Sequence, residues 1–212
     1  MSIGLGEHFG FGKLLRFVLP SIIMMIFTSI YGVVDGLFIS NFVGKTAFAA
    51  VNFILPVTMG MSAVGFMIGA GGSALVAKTL GEGNHQLANR FFSLFLVFAI
   101  GCGVVLTTIG LVFIEPLVVF MGATDQMIEP AVTYGRILMV SVTAFMVQNF
   151  FQTFFVVAEK PKLGLYVIVL AGVTNMVLDA LFVAVFRWGI VGAALATAID
   201  RKSTRLNSSH AT

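Results

Sequence analysis

The chain has little charge and almost no cysteine. Lys, Arg, Asp and Glu make up 10% of its 212 residues, against roughly 25% in soluble domains. Hydrophobic residues make up 58% and the mean hydropathy is +1.04, which indicates an integral membrane protein in a lipid bilayer. The single cysteine, Cys102, excludes an internal disulfide and any metal cluster held by cysteines.

The excess positive charge lies at the end of the chain and does not indicate a nucleic-acid partner. The net charge is +3, and Arg201, Lys202 and Arg205 supply three of the 12 basic residues. The other nine basic residues face nine acidic ones. Residues 200–212 resemble a translated sequencing adapter, so we expect a non-native tail and treat residues 1–199 as the domain.

Six apolar runs are separated by short polar segments and predict an all-α bundle of six helices. The first five runs are each long enough to cross about 30 Å of hydrocarbon. The sixth would be only about 16 Å long, so we expect a truncated sixth helix and a chain that is a fragment. The predicted helices cover about residues 14–40, 47–76, 91–114, 133–157, 163–186 and 189–199.

Basic residues in the loops predict the orientation in the membrane. Cytoplasmic loops carry an excess of Lys and Arg, and six basic residues lie at one set of helix ends against three at the other. This pattern places the N-terminus in the cytoplasm of a multi-pass protein. The six are Lys13, Arg16, Lys78, Arg90, Lys160 and Lys162; the three are Lys45, Arg136 and Arg187.

Two acids lie well inside the apolar runs. Asp35 and Asp179 are each in a membrane-length segment, where a buried charge costs roughly 2.5–3.5 kcal/mol on insertion scales. Helix rise places both acids and Thr197 roughly 9–14 Å below the outer boundary. Asn175 is one turn from Asp179 on the same face, so its amide can hydrogen-bond the acid. These four residues predict one polar site, although each acid could instead be satisfied separately by a neighbouring helix.

Other polar and helix-bending residues give weaker signals. Gln148, Asn149 and Gln152 share the fourth helix, where they could line a cavity or hydrogen-bond neighbouring helices. Pro20 removes a backbone hydrogen bond from the first helix and favours a bend, which is either static or a hinge. Gly65-x-x-x-Gly69 in the second helix permits close contact between helix backbones.

Several ordered motifs resemble the N-terminal half of the multidrug and toxic compound extrusion (MATE) family. The similarity runs from Gly12 to Ile199. The motifs are Ser29-Ile-Tyr-Gly-Val-Val-Asp-Gly-Leu-Phe-Ile-Ser-Asn-Phe-Val-Gly44 after Leu19-Pro20, Leu80-Gly-Glu-Gly-Asn84, Glu115-Pro-Leu117, Met121-Gly-Ala123, Asn175-Met-Val-Leu-Asp179 and Gly192-Ala-Ala-Leu-Ala-Thr197.

The resemblance implies one six-helix lobe of a two-lobe antiporter in the cell membrane. Such proteins exchange cations for amphipathic organic cations and other drugs through a cavity between the lobes. In proton-coupled members, the acids matching Asp35 and Asp179, with the residues matching Asn175 and Thr197, form the cation site of this lobe. The proline matching Pro20 is the bend point, and the C-terminal lobe is the missing partner. Candidates for the substrate cavity are Gln148, Asn149, Gln152 and Tyr31.

The residues also leave alternatives for the coupling ion and the function. Burial disfavours the ionised form of a carboxylate and a nearby carboxylate disfavours it further, so the pair suits a shared proton. Carboxylate, amide and hydroxyl oxygens also suit Na⁺. No cofactor and no enzymatic activity are predicted. The alternatives to efflux are a lipid-linked oligosaccharide flippase of the same superfamily, an inactive half-lobe and, least favoured, an intramembrane aspartyl protease.

Overall fold

The computed structural model describes residues 11–157 and 161–210, with continuous side-chain detail over 22–155 and 164–201. All regular structure in these ranges is helical. Five helices are long and apolar enough to cross a membrane, which confirms the predicted number of complete spans. The helices are α1 (Phe11–Phe38), α2 (Lys45–Gly81), α3 (His85–Phe120), α4 (Asp125–Val157), α5 (Pro161–Asp179) and α6 (Gly189–His210).

Glycine and asparagine residues set the short turns between the helices. Gly44, Gly83 and Gly122 lie in the turns between helices and have φ between 79° and 122°. Residues with a Cβ rarely adopt such values. Asn84 caps α3, since its side-chain oxygen accepts a hydrogen bond from the Leu87 amide at 3.1 Å. These local signals make α2, α3 and α4 successive antiparallel neighbours.

Wider π-helical turns follow the two buried acids. The segment π1 (Ile39–Val43) continues α1, and the segment π2 (Ala180–Val185) continues α5 directly after Asp179. Ile39 and Val183 are almost completely buried in the same hydrophobic core, and the two segments contact each other. The C-terminal ends of α1 and α5 are therefore packed together just beyond the acids.

Helices α2 and α4 make the closest contact in the bundle. A Cβ atom added at Gly65 would lie 2.5 Å from the Met146 carbonyl oxygen, and one at Gly69 would lie 3.0 Å from the Phe150 Cα. Only the absence of side chains lets the two backbones approach so closely. The prediction that Gly65-x-x-x-Gly69 is a packing motif is confirmed.

The helices form two layers that enclose a polar space. Helices α2, α3 and α4 pack against one another, α1 and α6 pack on α5, and α4 also contacts α6. Gly172 of α5 allows the close approach of α1, because an added Cβ would lie 2.5 Å from the Phe27 ring. The core in the described part of the chain is centred on α4, which carries Tyr134, Leu138, Met139, Val142 and Met146 at 0% exposure.

The observed helices are longer than those predicted. Helix α3 begins at His85 and α4 begins at Asp125, because the polar first turns of both helices lack the apolar periodicity used to find them. Helix α6 continues past Ile199 to His210, and the expected non-native origin of residues 200–212 stays a prediction. Pro20 falls within α1, but it lies outside the residues whose side chains are described. The bend predicted at Pro20 stays a prediction.

Replacing Gly65 with alanine should destabilise the protein, whereas the same change at Gly71 should not. The new methyl group at 65 meets the α4 backbone at 2.5 Å, and overpacking of this kind costs about 1–3 kcal/mol. Gly71 has nothing within 4 Å of an added Cβ, so Gly71→Ala gains about 0.5–1 kcal/mol of helix propensity. Apparent melting temperatures in detergent micelles measure both. Equal melting temperatures would contradict the packing assignment.

Candidate cation site and cavity

A polar cavity of about 260 Å³ lies between the two helix layers. Five helices contribute to its wall, and most of the polar residues predicted from the sequence are among its lining residues. From α1 come Thr28, Tyr31, Gly32 and Asp35; from α2, Leu55 and Met59; from α4, Tyr134, Phe145, Gln148, Asn149 and Gln152; from α5, Ile168 and Asn175; and from α6, Thr197, Asp200 and Arg201.

Asp35 lines this cavity and interacts with Asp179, which is not itself a lining residue. Asp179 is fully buried at 0% exposure, and Asp35 lies between it and the open space. Their carboxyl groups are close enough to hydrogen-bond when one carries a proton. Among the described residues, no hydrogen-bond donor reaches Asp35 Oδ1 or either carboxylate oxygen of Asp179. These three oxygens therefore have no hydrogen-bond donor, and the pair suits either a shared proton or a bound cation.

Asn175 and Thr197 lie at the same cavity but do not hydrogen-bond the acids as the sequence predicted. Asn175 is 2% exposed, and its Nδ2 has no acceptor among the described residues. The i, i+4 spacing does align it with Asp179, but the Asp179 carboxylate is directed at Asp35 on α1. Thr197 Oγ1 donates to the Ala193 carbonyl at 3.1 Å within its own helix. Both residues are nevertheless part of the cavity wall.

Tyr134 belongs to the site and was missed by the sequence reasoning. Its side chain is 0% exposed, its phenol oxygen has no hydrogen-bond partner among the described residues, and it lies near Thr197 and Asp35. The sequence predicted that this helix begins at about residue 133, which places Tyr134 in its first turn, and Tyr134 was not among the predicted site residues. Asp125, an acid typical of a first helical turn, was the signal that α4 begins earlier and carries Tyr134 inward.

The amide residues of α4 both line the cavity and connect helices. Asn149 Nδ2 donates to the Ser62 carbonyl of α2 at 3.4 Å, which is a long interhelical hydrogen bond. Gln148 Oε1 is buried without a donor among the described residues. Gln152 and Tyr31 also face the cavity. The two interpretations offered by the sequence are therefore compatible in this helix.

A second, larger cleft of about 400 Å³ lies between the ends of α3 and α4. Its charged residues are Glu115, Asp125, Glu129 and Arg136, and Arg136 approaches Glu115 at 3.4 Å. The ion pair is more than half exposed on both sides, so water screens it. Exposed charges of this kind are ordinary for a loop region, and none of the four charged side chains of this cleft is buried.

No group of three or more His, Cys, Asp or Glu side chains converges in the part of the chain that the structure describes. The oxygens that could hold a cation near Asp35 are therefore two carboxylates supplemented by an amide and a hydroxyl. Hard monovalent cations accept such a set, while transition metals prefer nitrogen or sulfur ligands. The donor chemistry fits Na⁺ or a proton.

Comparison with known proteins gives consistent results for sequence and structure. The MatE family model matches residues 20–181. The probable multidrug resistance protein YoeA of Bacillus subtilis is 26% identical over 194 residues, covering 90% of this chain and 42% of YoeA. The multidrug export protein MepA of Staphylococcus aureus is 23% identical over 197 residues, covering 92% of this chain and 44% of MepA. The chain thus spans less than half the length of these relatives.

Solved structures show the same arrangement of helices. A MATE crystal structure in the bent conformation has a TM-score of 0.85 and 28% identity, covering 92% of this chain and 44% of that one. An outward-facing multidrug resistance MATE transporter has a TM-score of 0.86 and 28% identity, covering 92% and 43%. The predicted one-lobe, six-helix fold is confirmed.

Asp179→Ala should destabilise the protein more than Asp179→Asn. The asparagine amide can donate a hydrogen bond to Asp35, while alanine leaves that buried carboxylate facing an apolar void. Loss of a partner for a buried charged group costs at least about 1–3 kcal/mol. Apparent melting temperatures of the two variants in detergent at neutral pH measure the difference. If the alanine variant melts no lower than the asparagine variant, the two acids do not depend on each other.

Proposed function

The chain belongs to the MatE family, and we propose that it forms the N-terminal lobe of a secondary active multidrug exporter. In this proposal, inward movement of H⁺ or Na⁺ drives outward movement of amphipathic organic cations and other drugs. The observation that carries it is the pairing of Asp35, which lines a cavity inside the bundle, with the fully buried Asp179. Among the described residues, three of the four oxygens of these two acids have no hydrogen-bond partner. The names of the relatives, which include a multidrug export protein, support the class of substrate.

The acid pair is suited to coupling because its charge depends on what it binds. When a proton is shared between Asp35 and Asp179, the pair is less charged and its hydrogen bond holds α1 against α5. When both are ionised, they repel each other and attract a cation from the cavity. A ligand can bias two conformations only through a difference in affinity, and Asp35 supplies that difference because it faces both Asp179 and the cavity.

We propose transport rather than catalysis for these acids. An intramembrane protease would use two aspartates to activate water, but the named relatives are exporters. The cavity wall formed by Tyr31, Gln148 and Gln152 offers aromatic surface and neutral hydrogen-bonding groups. Such a surface binds apolar cations through contact area and orients them with few polar groups. The remaining wall of the cavity would come from a second, C-terminal lobe.

The proposal is tested by drug efflux from the full-length transporter that carries this lobe. Asp35→Asn should abolish ion-driven efflux, because an amide does not gain or lose the charge that couples ion and drug. Everted vesicles with an imposed pH gradient or an imposed Na⁺ gradient measure this and identify the coupling ion. Glu129→Gln removes an exposed acid that does not line the cavity and is the matched control. Undiminished efflux by Asp35→Asn would refute the proposal.

We also propose that the N-terminus lies in the cytoplasm of a cell-membrane protein, on the basis of the basic loop residues. In a Cys102→Ser background, Phe120→Cys should react with a membrane-impermeant maleimide in intact cells, and Lys78→Cys should not. Both native side chains are well exposed, at 88% and 74%, so accessibility within the lobe does not limit labelling. Labelling of Lys78→Cys alone would show that the protein has the opposite orientation in the membrane.

A further inference from the structure

Two basic side chains come directly after membrane spans of the lobe. Lys45 and Arg187 each follow, by two residues, the end of a candidate span, Ile22–Val43 in one case and Gly164–Val185 in the other. Both side chains are exposed. Two residues of chain extend over at most about 7 Å, which is close to the thickness of one headgroup layer of a bilayer. Both charges therefore lie at the depth of the lipid headgroups.

The two turns that carry these charges are neighbours in the fold. A Cβ atom added at Gly189, two residues after Arg187, would lie 3.8 Å from Cγ1 of Val43, which is two residues before Lys45. The segment π1 also contacts π2 and α6. One surface of the lobe therefore presents both positive charges.

These charges are not neutralised by acids of their own segments. No Asp or Glu occurs between residues 36 and 81 or between residues 180 and 199. The ion pairs formed within the described ranges have other basic partners, among them Arg136, which approaches Glu115 at 3.4 Å. Lys45 and Arg187 are therefore available to an anion at the membrane surface.

Aromatic rings adjoin both charges on the side of the spans. The Trp188 ring stacks on Phe182 at 5.0 Å between ring centres and lies 5.3 Å from Phe186, while Phe38 and Phe42 stack at 5.8 Å. Phe42, Phe186 and Trp188 remain 49% to 59% exposed. Exposed aromatic rings at the end of a span lie where headgroups meet acyl chains. The surface thus combines a polar cationic part with an apolar aromatic part.

We propose that this surface, formed by Lys45, Arg187, Trp188 and the adjoining aromatic rings, binds a phospholipid with a net negative headgroup, such as phosphatidylglycerol. The guanidinium binds the phosphate oxygens, Lys45 supplies a second charge, and the rings contact the glycerol and acyl chains. A zwitterionic lipid carries an ammonium group that the two basic residues repel. A free phosphate ion would leave the aromatic part unused. In the proposed orientation this lipid belongs to the outer leaflet.

Trp188 is the only tryptophan of the chain, so its fluorescence reports on this surface and tests the proposal. The full chain is reconstituted in phosphatidylcholine vesicles that contain matched fractions of phosphatidylglycerol or phosphatidylcholine with brominated acyl chains, which quench tryptophan on contact. The degree of quenching gives the relative affinity for the two lipids. Brominated phosphatidylglycerol should bind on the order of tenfold more tightly, since each basic residue at the surface strengthens the attraction about fivefold.

Removal of the charges should remove the preference. Arg187→Gln should reduce the preference for phosphatidylglycerol about fivefold, and the double variant Lys45→Gln, Arg187→Gln should abolish it. Arg187→Lys keeps the charge and should retain most of the preference. Arg136→Gln removes a basic residue that is predicted on the same side of the membrane but is paired with Glu115, and it is the matched control. It should leave quenching unchanged.

Two further measurements on the unsubstituted chain keep the test decisive if a variant does not fold. About 0.5 M NaCl should lower the preference for phosphatidylglycerol, because it screens exposed charges, while millimolar inorganic phosphate should not relieve the quenching. Equal quenching by both brominated lipids, or a preference that Arg136→Gln reduces as much as Arg187→Gln, would overturn the proposal. Relief by inorganic phosphate would also overturn it, since the site would then take the free ion.

The lipid site and the proposed export function succeed or fail separately. Quenching is measured without an ion gradient or a second lobe. Absence of a lipid preference would overturn this site and leave export in place. Undiminished efflux by the Asp35→Asn transporter would overturn the export mechanism and leave the lipid site in place.

Discussion

The arrangement of the lobe depends on the contact between two carboxylates inside an apolar bundle. Ionised acids cannot remain close together in hydrocarbon without a proton or a cation. Asp35 and Asp179 are nevertheless placed together by α1 and α5, whose approach is allowed by the missing side chain of Gly172. The fold thus holds together two acids that a shared proton or a bound cation would stabilise, as the proposed coupling role requires.

The remainder of the bundle provides a rigid support for this pair. Helix α4 is the best-buried helix of the described part of the chain, and it packs on α2 through glycines that leave no room for a Cβ. It presents Tyr134 and its amide residues to the cavity from a fixed position. Helix α1 exposes most of its apolar residues and is held mainly by α5 and π1. A change in the charge of Asp35 therefore acts on the less firmly packed side of the cavity.

Much of this organisation could be predicted from the sequence, because the signals were strong and local. Membrane-length apolar runs predicted the spans, the Gly65 and Gly69 spacing predicted the close helix pair, and helix rise placed Asp35, Asp179 and Thr197 at a common depth. A fixed rise per residue makes depth predictable from a boundary only a few turns away. Tyr134 was not predicted as a site residue, since the predicted start of α4 lay about two turns too late.

The errors share a physical cause, which is that side-chain direction is set by neighbouring helices and not by spacing along one helix. Asn175 and Asp179 occupy one helical face, yet their side chains do not contact each other. Asp179 interacts with Asp35 on α1, while Asn175 lines the cavity. Arg201 was set aside with the predicted non-native tail, yet it is buried and its guanidinium lies over the Phe145 ring. A buried guanidinium requires a matching environment, so its placement is informative about the cavity whatever the origin of the residue that carries it. Asn175 and Thr197, which the sequence predicted to form one polar site with the acids, line the same cavity as Asp35 in the folded lobe.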